Sequence, residues 1–172
     1  GALLWATYYG GEDRDFASGI AVDHQDAIYI GGSTRSVNGI ATPGSFQDSI
    51  PIHSFDVGFL AKFDSNGSLL WGSYYFGDTV IVNLSIYNNA VVMTGNASIN
   101  TRLLGFTTPG SFQEDLNLNS LIAPFIAQFD HNGSRLWCTY YSDPFVSVIN
   151  GICTNASGIY ILGSTSDFTS FY

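Results

Sequence analysis

The fold is decided by the stretch Leu3-Leu4-Trp5-Ala6-Thr7-Tyr8-Tyr9, because related stretches return twice further along the chain. The second is Leu69-Leu70-Trp71-Gly72-Ser73-Tyr74-Tyr75 and the third is Arg135-Leu136-Trp137-Cys138-Thr139-Tyr140-Tyr141, so successive tryptophans are 66 residues apart. Two more blocks share this offset: residues 42–47 match residues 108–113, and residues 61–68 match residues 127–134. The chain is therefore a tandem array of about two and three-quarter units, and the repeat is the first fact that a fold assignment must explain.

The apolar residues within a unit alternate with a period of two, which is typical of β-strands, and no stretch has the periodicity of a helix. In the first full unit we predict strands at residues 19–23, 27–32, 58–64 and 69–75. The last two are joined at Asn66-Gly67, a pair that readily adopts the positive φ of a tight hairpin turn. The predicted fold class is all-β, built from four-stranded antiparallel blades of the propeller type, with no significant helix.

The predicted blade boundaries do not coincide with the first and last residues of the sequence. If the strands of a blade are lettered a to d, a lone strand d is predicted at residues 3–9, full blades at 17–75 and 80–141, and a partial blade at 148–172, all in one β-repeat domain over residues 1–172. Propellers close with about 4–8 blades. We therefore expect exposed sheet edges, which are templates for pairing with another chain.

Four motifs together resemble one family. They are the Leu-Leu-Trp-x-x-Tyr-Tyr-Gly-Gly opening, the Gly-Ile-Ala-Val-Asp strand, the Thr-Pro-Gly-Ser-Phe-Gln loop and the closing Phe-Asp-x-Asn-Gly-Ser-Leu-Leu-Trp. In this combination they resemble the SBBP β-propeller repeat of large bacterial and archaeal surface and secreted proteins. The resemblance is specific in the first unit and weaker in the others, where Gly10-Gly11 is replaced by Phe76-Gly77 and by Ser142-Asp143. It implies an extracellular scaffold or adhesive module without known catalytic residues.

Three arrangements would satisfy the exposed edges: a fragment of a longer propeller, a symmetric oligomer, or strand exchange between copies. We expect the third, in which residues 3–9 of one copy complete the partial blade of the next by strand addition. Such a head-to-tail contact grows into an open filament unless its rotation closes a ring. The expected function is thus a structural subunit of a microbial surface filament, with copies of the chain itself as partners.

The alternative function is a carbohydrate-binding, lectin-like propeller module or a part of a larger surface adhesin. Trp5, Trp71 and Trp137, with the tyrosines that follow them, could line sugar-binding faces. A Trp and the second Tyr after it lie on one face of a strand. We expect that face to be buried between blades, because such rings bury a large apolar area.

The composition excludes several classes of partner and indicates a compartment. Hydrophobic residues make up 45% of the chain and charged residues 11%, and the net charge of −9 with five Lys+Arg argues against nucleic acid. No apolar run is long enough to span a bilayer. The low charge favours a secreted or cell-surface protein whose solubility comes from glycans. Five Asn-x-Ser sequons are candidate N-glycosylation sites: Asn66, Asn83, Asn96, Asn132 and Asn155.

The cysteines and histidines are the remaining candidates for a disulfide, a metal site or a catalytic site. Cys138 follows the Trp of a strand d and Cys153 lies on the next strand a, so a disulfide between adjacent blades is predicted, with two separate thiols as the alternative. The histidines have no zinc-ligand spacing and Gly-x-Ser-x-Gly is absent. We therefore predict no enzyme, no metal site and no cofactor.

Overall fold

The computed structural model describes residues 1–50, 56–98, 105–115, 122–141 and 147–165, and in these ranges the chain forms ten β-strands and no helix. The predicted all-β class is therefore confirmed. Blade one is formed by β1 (Asp15–Val22), β2 (Ile28–Thr34), β3 (Val57–Phe63) and β4 (Leu69–Gly77). Blade two is formed by β5 (Thr79–Tyr87), β6 (Ala90–Ser98), β7 (Ile122–Phe129) and β8 (Arg135–Tyr140). The third sheet is the pair β9 (Ser147–Asn155) and β10 (Gly158–Thr165).

Each four-stranded sheet is an antiparallel meander in which sequential strands are neighbours. The hairpin between β3 and β4 has the predicted turn: Asp64 Oδ1 accepts hydrogen bonds from the main-chain N–H groups of Asn66 and Ser68 at 2.9 and 2.8 Å, and Gly67 has a φ of 84°. Asp130 caps the corresponding turn of blade two in the same way. No helix able to cross a membrane occurs in the described ranges.

The main core lies between blades one and two. Tyr75 is buried at its centre, with its ring 5.3 Å from that of Phe125 and 5.7 Å from those of Phe106 and Phe129. The preceding residue, Tyr74, belongs to a separate cluster on the opposite face of blade one. This is the alternation expected of a strand with apolar neighbours on both sides.

The sequence-based bounds need two corrections. Residues 3–9 were predicted as a strand, but they form none in the structure. In both complete blades strand d pairs with strand c alone, and no strand c lies beside residues 3–9 among the described residues. In addition, β1 begins at Asp15 rather than at residue 19, because a bulge between Ala17 and Gly19 lets the pairing with β2 continue.

Candidate site for assembly

Residues 1–9, called the N-terminal segment below, are held on blade one by two aromatic side chains. The indole Nε1 of Trp5 donates a hydrogen bond to the carbonyl oxygen of Ser65 at 3.0 Å. The hydroxyl of Tyr9 donates to the carbonyl oxygen of Ile40 at 2.6 Å, and its ring lies 5.6 Å from that of Phe59 and 5.4 Å from that of Phe63. Burial, with smaller effects from Tyr74 and Asp15, raises the pKa of Tyr9.

The same contacts recur between β4 and blade two. Trp71 Nε1 donates to the carbonyl oxygen of His131 at 3.0 Å, and the Tyr75 ring lies 5.3 Å from Phe125 and 5.7 Å from Phe129. Each of these five residues follows its counterpart in the previous paragraph by one repeat length. The N-terminal segment therefore occupies, relative to blade one, the place that strand d of blade one occupies relative to blade two.

The outward side of the N-terminal segment is an unpaired apolar edge. Leu3, Leu4 and Tyr8 are 81%, 91% and 104% exposed. No main-chain to main-chain hydrogen bond joins residues 1–9 to any other residue that the structure describes. Free main-chain groups beside exposed apolar side chains are the features of an edge that accepts another strand.

The other end of the array is the two-stranded sheet β9–β10. Its inner face packs on blade two, where Ile152, Ile159 and Ile161 join a cluster around Ile126 and Ile149. In the described part of the chain β10 pairs only with β9. The sheet therefore has the two inner strands of a blade and an open edge along β10.

A third exposed feature is a stacked aromatic pair on blade two. Phe112 and Tyr141 stack with ring centroids 5.9 Å apart, and they are 81% and 47% exposed. Phe46 and Tyr75 of blade one stack at the same 5.9 Å, but there Phe129 of the next blade covers the pair, 5.4 Å from Phe46. Phe46, which is 36% exposed, is thus partly covered by the next blade, whereas Phe112 remains uncovered.

The burial predicted for the Trp and second-Tyr face therefore depends on the presence of a following blade. Tyr75 is buried, as predicted, because blade two covers it, whereas Trp71 is only half-buried. Trp137 is half-buried and lacks a carbonyl partner on a next hairpin; its Nε1 donates to Gln128 Oε1 of its own blade at 2.7 Å.

The five predicted sequons differ in accessibility. Asn66, Asn132 and Asn155 are exposed, the first two at the tips of hairpin turns. Asn83 and Asn96 lie on β5 and β6, and the Nδ2 of Asn83 is buried without a hydrogen-bond partner. Since the glycan is attached to that nitrogen, the folded chain offers no acceptor at Asn83.

The predicted disulfide is wrong: Cys138 and Cys153 are both free cysteines in the structure. Cys138 faces blade one, where its Sγ lies 3.1 Å from the Tyr75 hydroxyl, which donates to it. Cys153 is exposed on β9, on the other side of blade two. Adjacent residues of a strand point to opposite faces, so Trp137 faces the third sheet and Cys138 faces away from it. Burial, opposed by the Tyr75 hydrogen bond and by Arg135, raises the pKa of Cys138 to about 11.

Sequence reasoning missed a buried charged pair in blade one. Lys62 and Asp23 are each 6% exposed, and their Nζ and Oδ2 atoms are 3.8 Å apart. Lys62 also donates to the His131 carbonyl oxygen at 3.3 Å and lies 5.0 Å from the centre of the Tyr29 ring. The available signal was a lysine within the otherwise apolar strand Val57–Phe63. The pair therefore links the β7–β8 hairpin of blade two to the residue that follows the end of β1.

A cavity of about 300 Å³ lies between residues 44–46 of blade one and residues 132–135 of blade two. The Arg135 guanidinium lies 5.1 Å from the centre of the Phe46 ring, and its Nη1 donates to the Phe106 carbonyl oxygen at 2.6 Å. These contacts give the arginine a packing role. No group of three His, Cys, Asp or Glu side chains that could hold a metal ion occurs in the ranges that the structure describes.

Comparisons with known proteins agree with the arrangement of the strands in repeated four-stranded blades. Residues 4–41, which include most of the N-terminal segment, β1 and β2, match the family model of the SBBP beta-propeller repeat. Over 150 residues, 81% of its length, the chain is 29% identical to the uncharacterized WD repeat-containing protein L264 of Acanthamoeba polyphaga mimivirus, and it spans 11% of that protein. The first repeat unit therefore resembles the SBBP beta-propeller repeat over residues 4–41, as its sequence motifs predicted.

Proposed function

We propose that the protein is a non-enzymatic structural subunit that assembles head to tail outside a microbial cell. The observation that supports this most strongly is that parts of one blade lie at both ends of the array. The N-terminal segment has the place and contacts of a strand d, whereas β9 and β10 supply strands a and b. In the assembly, one copy provides β9 and β10 and the next copy provides residues 1–9, which together form a shared blade.

Strand addition gives this contact both affinity and register. In both complete blades strand c lies between strands b and d. The free edges of β10 and of the N-terminal segment therefore both face the position of strand c, where alternate side chains select the register. The two surfaces differ, so the contact is heterologous and grows into a filament unless it closes a ring. The described residues of the two copies supply strands a, b and d of the shared blade but no strand c.

Removal of the N-terminal segment is expected to abolish assembly. A variant that lacks residues 1–9 should stay monomeric under conditions in which the full chain forms filaments, because the shared blade loses its strand d. Negative-stain electron microscopy and sedimentation velocity measure the result.

A second variant removes main-chain pairing while keeping the two anchors. Leu4→Pro removes one N–H donor from the exposed edge and leaves Trp5 and Tyr9 in place. It should also be monomeric. Filaments from both variants, or a full chain that stays a monomer at all concentrations, would overturn the proposal.

The extracellular location is proposed from accessibility and composition together. Asn66 and Asn132 lie at exposed hairpin tips, where a glycosylating enzyme can reach them. Only 11% of the residues are charged, so charge contributes little to solubility, and glycans at these sites supply it instead. The lectin alternative receives less support, because Trp5 and Trp71 direct their indole N–H groups to carbonyls of the neighbouring blade rather than to solvent.

Protein made in a host with N-glycosylation is expected to lose mass on enzymatic deglycosylation. The double variant Asn66→Gln/Asn132→Gln should remove most of this mass difference. Asn83→Gln should leave it unchanged, since the buried Nδ2 of Asn83 is no acceptor. Intact-protein mass spectrometry measures these mass differences. An unglycosylated wild-type chain would contradict the prediction.

A further inference from the structure

We propose that Tyr141 of one copy packs over Ala6 of the next copy, so that the exposed pair Phe112–Tyr141 is the receptor for the outward side of the N-terminal segment. The inference rests on the head-to-tail assembly proposed above and names the side chains that specify it. The occupant is a second copy of this chain, and the argument is continuity with two contacts already present inside the molecule.

Within one chain, the second Tyr of each unit lies on the small residue that follows the Trp of the next unit. A Cβ built on Gly72 would lie 2.4 Å from the Tyr9 hydroxyl oxygen and 2.2 Å from the Ile40 carbonyl oxygen that this hydroxyl bonds, so the Tyr9–Ile40 contact fills the space that a side chain at position 72 would need. One repeat later, the Tyr75 hydroxyl lies 3.1 Å from Cys138 Sγ. The two contacts have the same separation along the sequence.

Two exposed residues share the features of the residues in this series. Tyr141 is the second Tyr of the last unit and is 47% exposed. Ala6 follows the first Trp, is small like Gly72 and Cys138, and is exposed. In the head-to-tail assembly proposed above, the next contact of the same kind joins Tyr141 of one copy to Ala6 of another.

The surfaces around these two residues are also complementary. On β1, Ile20 and Val22 are 68% and 54% exposed. In blade two, Ile86 holds the place of Val22, since their partners Val91 and Ile28 pair in turn with Phe129 and Phe63 of strand c, and Ile86 packs against the core between the blades. At the other end of the array, Tyr160 and Leu162 are exposed on the face of β10 that points away from blade two.

The assembly thus places the apolar face of β1 from one copy against the apolar face of β10 from another, as β5 is placed on blade one within the chain. Burying both faces removes apolar side chains from water. The aromatic pair Phe112–Tyr141 then receives a neighbour, as Phe46–Tyr75 does from blade two.

The test is a set of variants at exposed positions, where folding is not at risk. Ala6→Arg places a charged side chain where Tyr141 must pack, and Tyr141→Ala removes the ring. Each should raise the protein concentration at which filaments appear by at least about tenfold. Tyr141→Phe keeps the ring and should assemble nearly as the wild type does. The matched control is Ser49→Arg, which adds the same side chain on an exposed loop of blade one outside β1, β10 and the N-terminal segment.

A cross-link locates the contact directly. With p-benzoylphenylalanine in place of Tyr141, irradiation of a mixture with ¹⁵N-labelled chain should join position 141 to the labelled tryptic peptide 1–14. If removal of residues 1–9 stops assembly while Ala6→Arg and Tyr141→Ala assemble as the wild type does, this inference fails and the head-to-tail proposal stands. If assembly survives that removal, or if the wild type never assembles, both fail.

Discussion

Replacement of Tyr75 by alanine is expected to lower the free energy of unfolding by about 3–5 kcal/mol, the range for deleting a large aromatic side chain from a core. Tyr75 is 1% exposed and its ring contacts those of Phe106, Phe125 and Phe129, so the change opens a cavity where blades one and two meet. Since residues from both blades line that cavity, neither sheet can close it alone. Urea unfolding followed by tryptophan fluorescence measures the loss.

Two further substitutions test what the hydroxyl group of Tyr75 and what its burial contribute to stability. Tyr75→Phe keeps the ring, removes the hydrogen bonds of the hydroxyl to Cys138 and Arg135, and should cost about 1 kcal/mol. Tyr8→Ala, at a fully exposed tyrosine in the equivalent motif, should change stability by less than about 0.5 kcal/mol. If Tyr75→Ala were as stable as Tyr8→Ala, the interface between the blades would not be the core of the protein.

The strands and turns were predictable because they are encoded locally. A period of two, an Asn-Gly turn and an aspartate that caps it define each hairpin without reference to the rest of the chain. The contacts of Asp64 and Asp130 follow directly from that local pattern. Repetition strengthens the prediction, because a pattern that recurs at a fixed offset must suit the same environment each time.

Features that depend on a neighbouring sheet were harder to predict. Residues 3–9 have the sequence of a strand d, but a strand also needs a partner, and the part of the chain that the structure describes provides none. Cys138 and Cys153 are close in sequence, but alternation places Cys138 on the face of blade two that is turned towards blade one. A period of two defines two faces of a strand without saying which blade each face meets.

The buried pair of Lys62 and Asp23 shows a further limit. A lone lysine in an apolar strand is visible in the sequence, but its partner comes from the end of β1 and its carbonyl acceptor from the hairpin of blade two. Three segments far apart in the chain build this environment. In blade two Gln128 takes the position of the lysine and bonds Trp137 and the Tyr87 carbonyl, so the repeat does not conserve the charge.

Asp23 is held by more hydrogen bonds than its pairing with Lys62 alone would suggest. Its Oδ1 accepts from the N–H groups of Gln25 and Ala27, each at 2.9 Å, and its Oδ2 accepts from the Tyr29 hydroxyl at 3.2 Å. Burial by itself would raise the pKa of Asp23. The hydrogen bonds and the charge of Lys62 outweigh burial, and the pKa is lowered.

Asp23→Ala is expected to cost about 3–5 kcal/mol, because it leaves a buried lysine without its carboxylate and two N–H groups without their acceptor. Asp23→Asn keeps an oxygen acceptor and should cost less. If the loss comes from the orphaned charge, Lys62→Met added to Asp23→Asn should recover part of it. A double variant less stable than Asp23→Asn alone would contradict this explanation.

The lowered pKa also fixes the direction of the pH dependence. A carboxyl group with a lower pKa in the folded state than in the unfolded state stabilises the fold above its unfolded pKa of about 3.9, and this contribution is lost as the pH falls through the folded value. The wild type should therefore lose stability below about pH 4 more steeply than Asp23→Asn, whose side chain does not titrate. Urea midpoints measured between about pH 2 and pH 7 test this difference. Parallel curves for the two proteins would mean that Asp23 has the same pKa in both states, and the carboxylate would then contribute no stability through its charge.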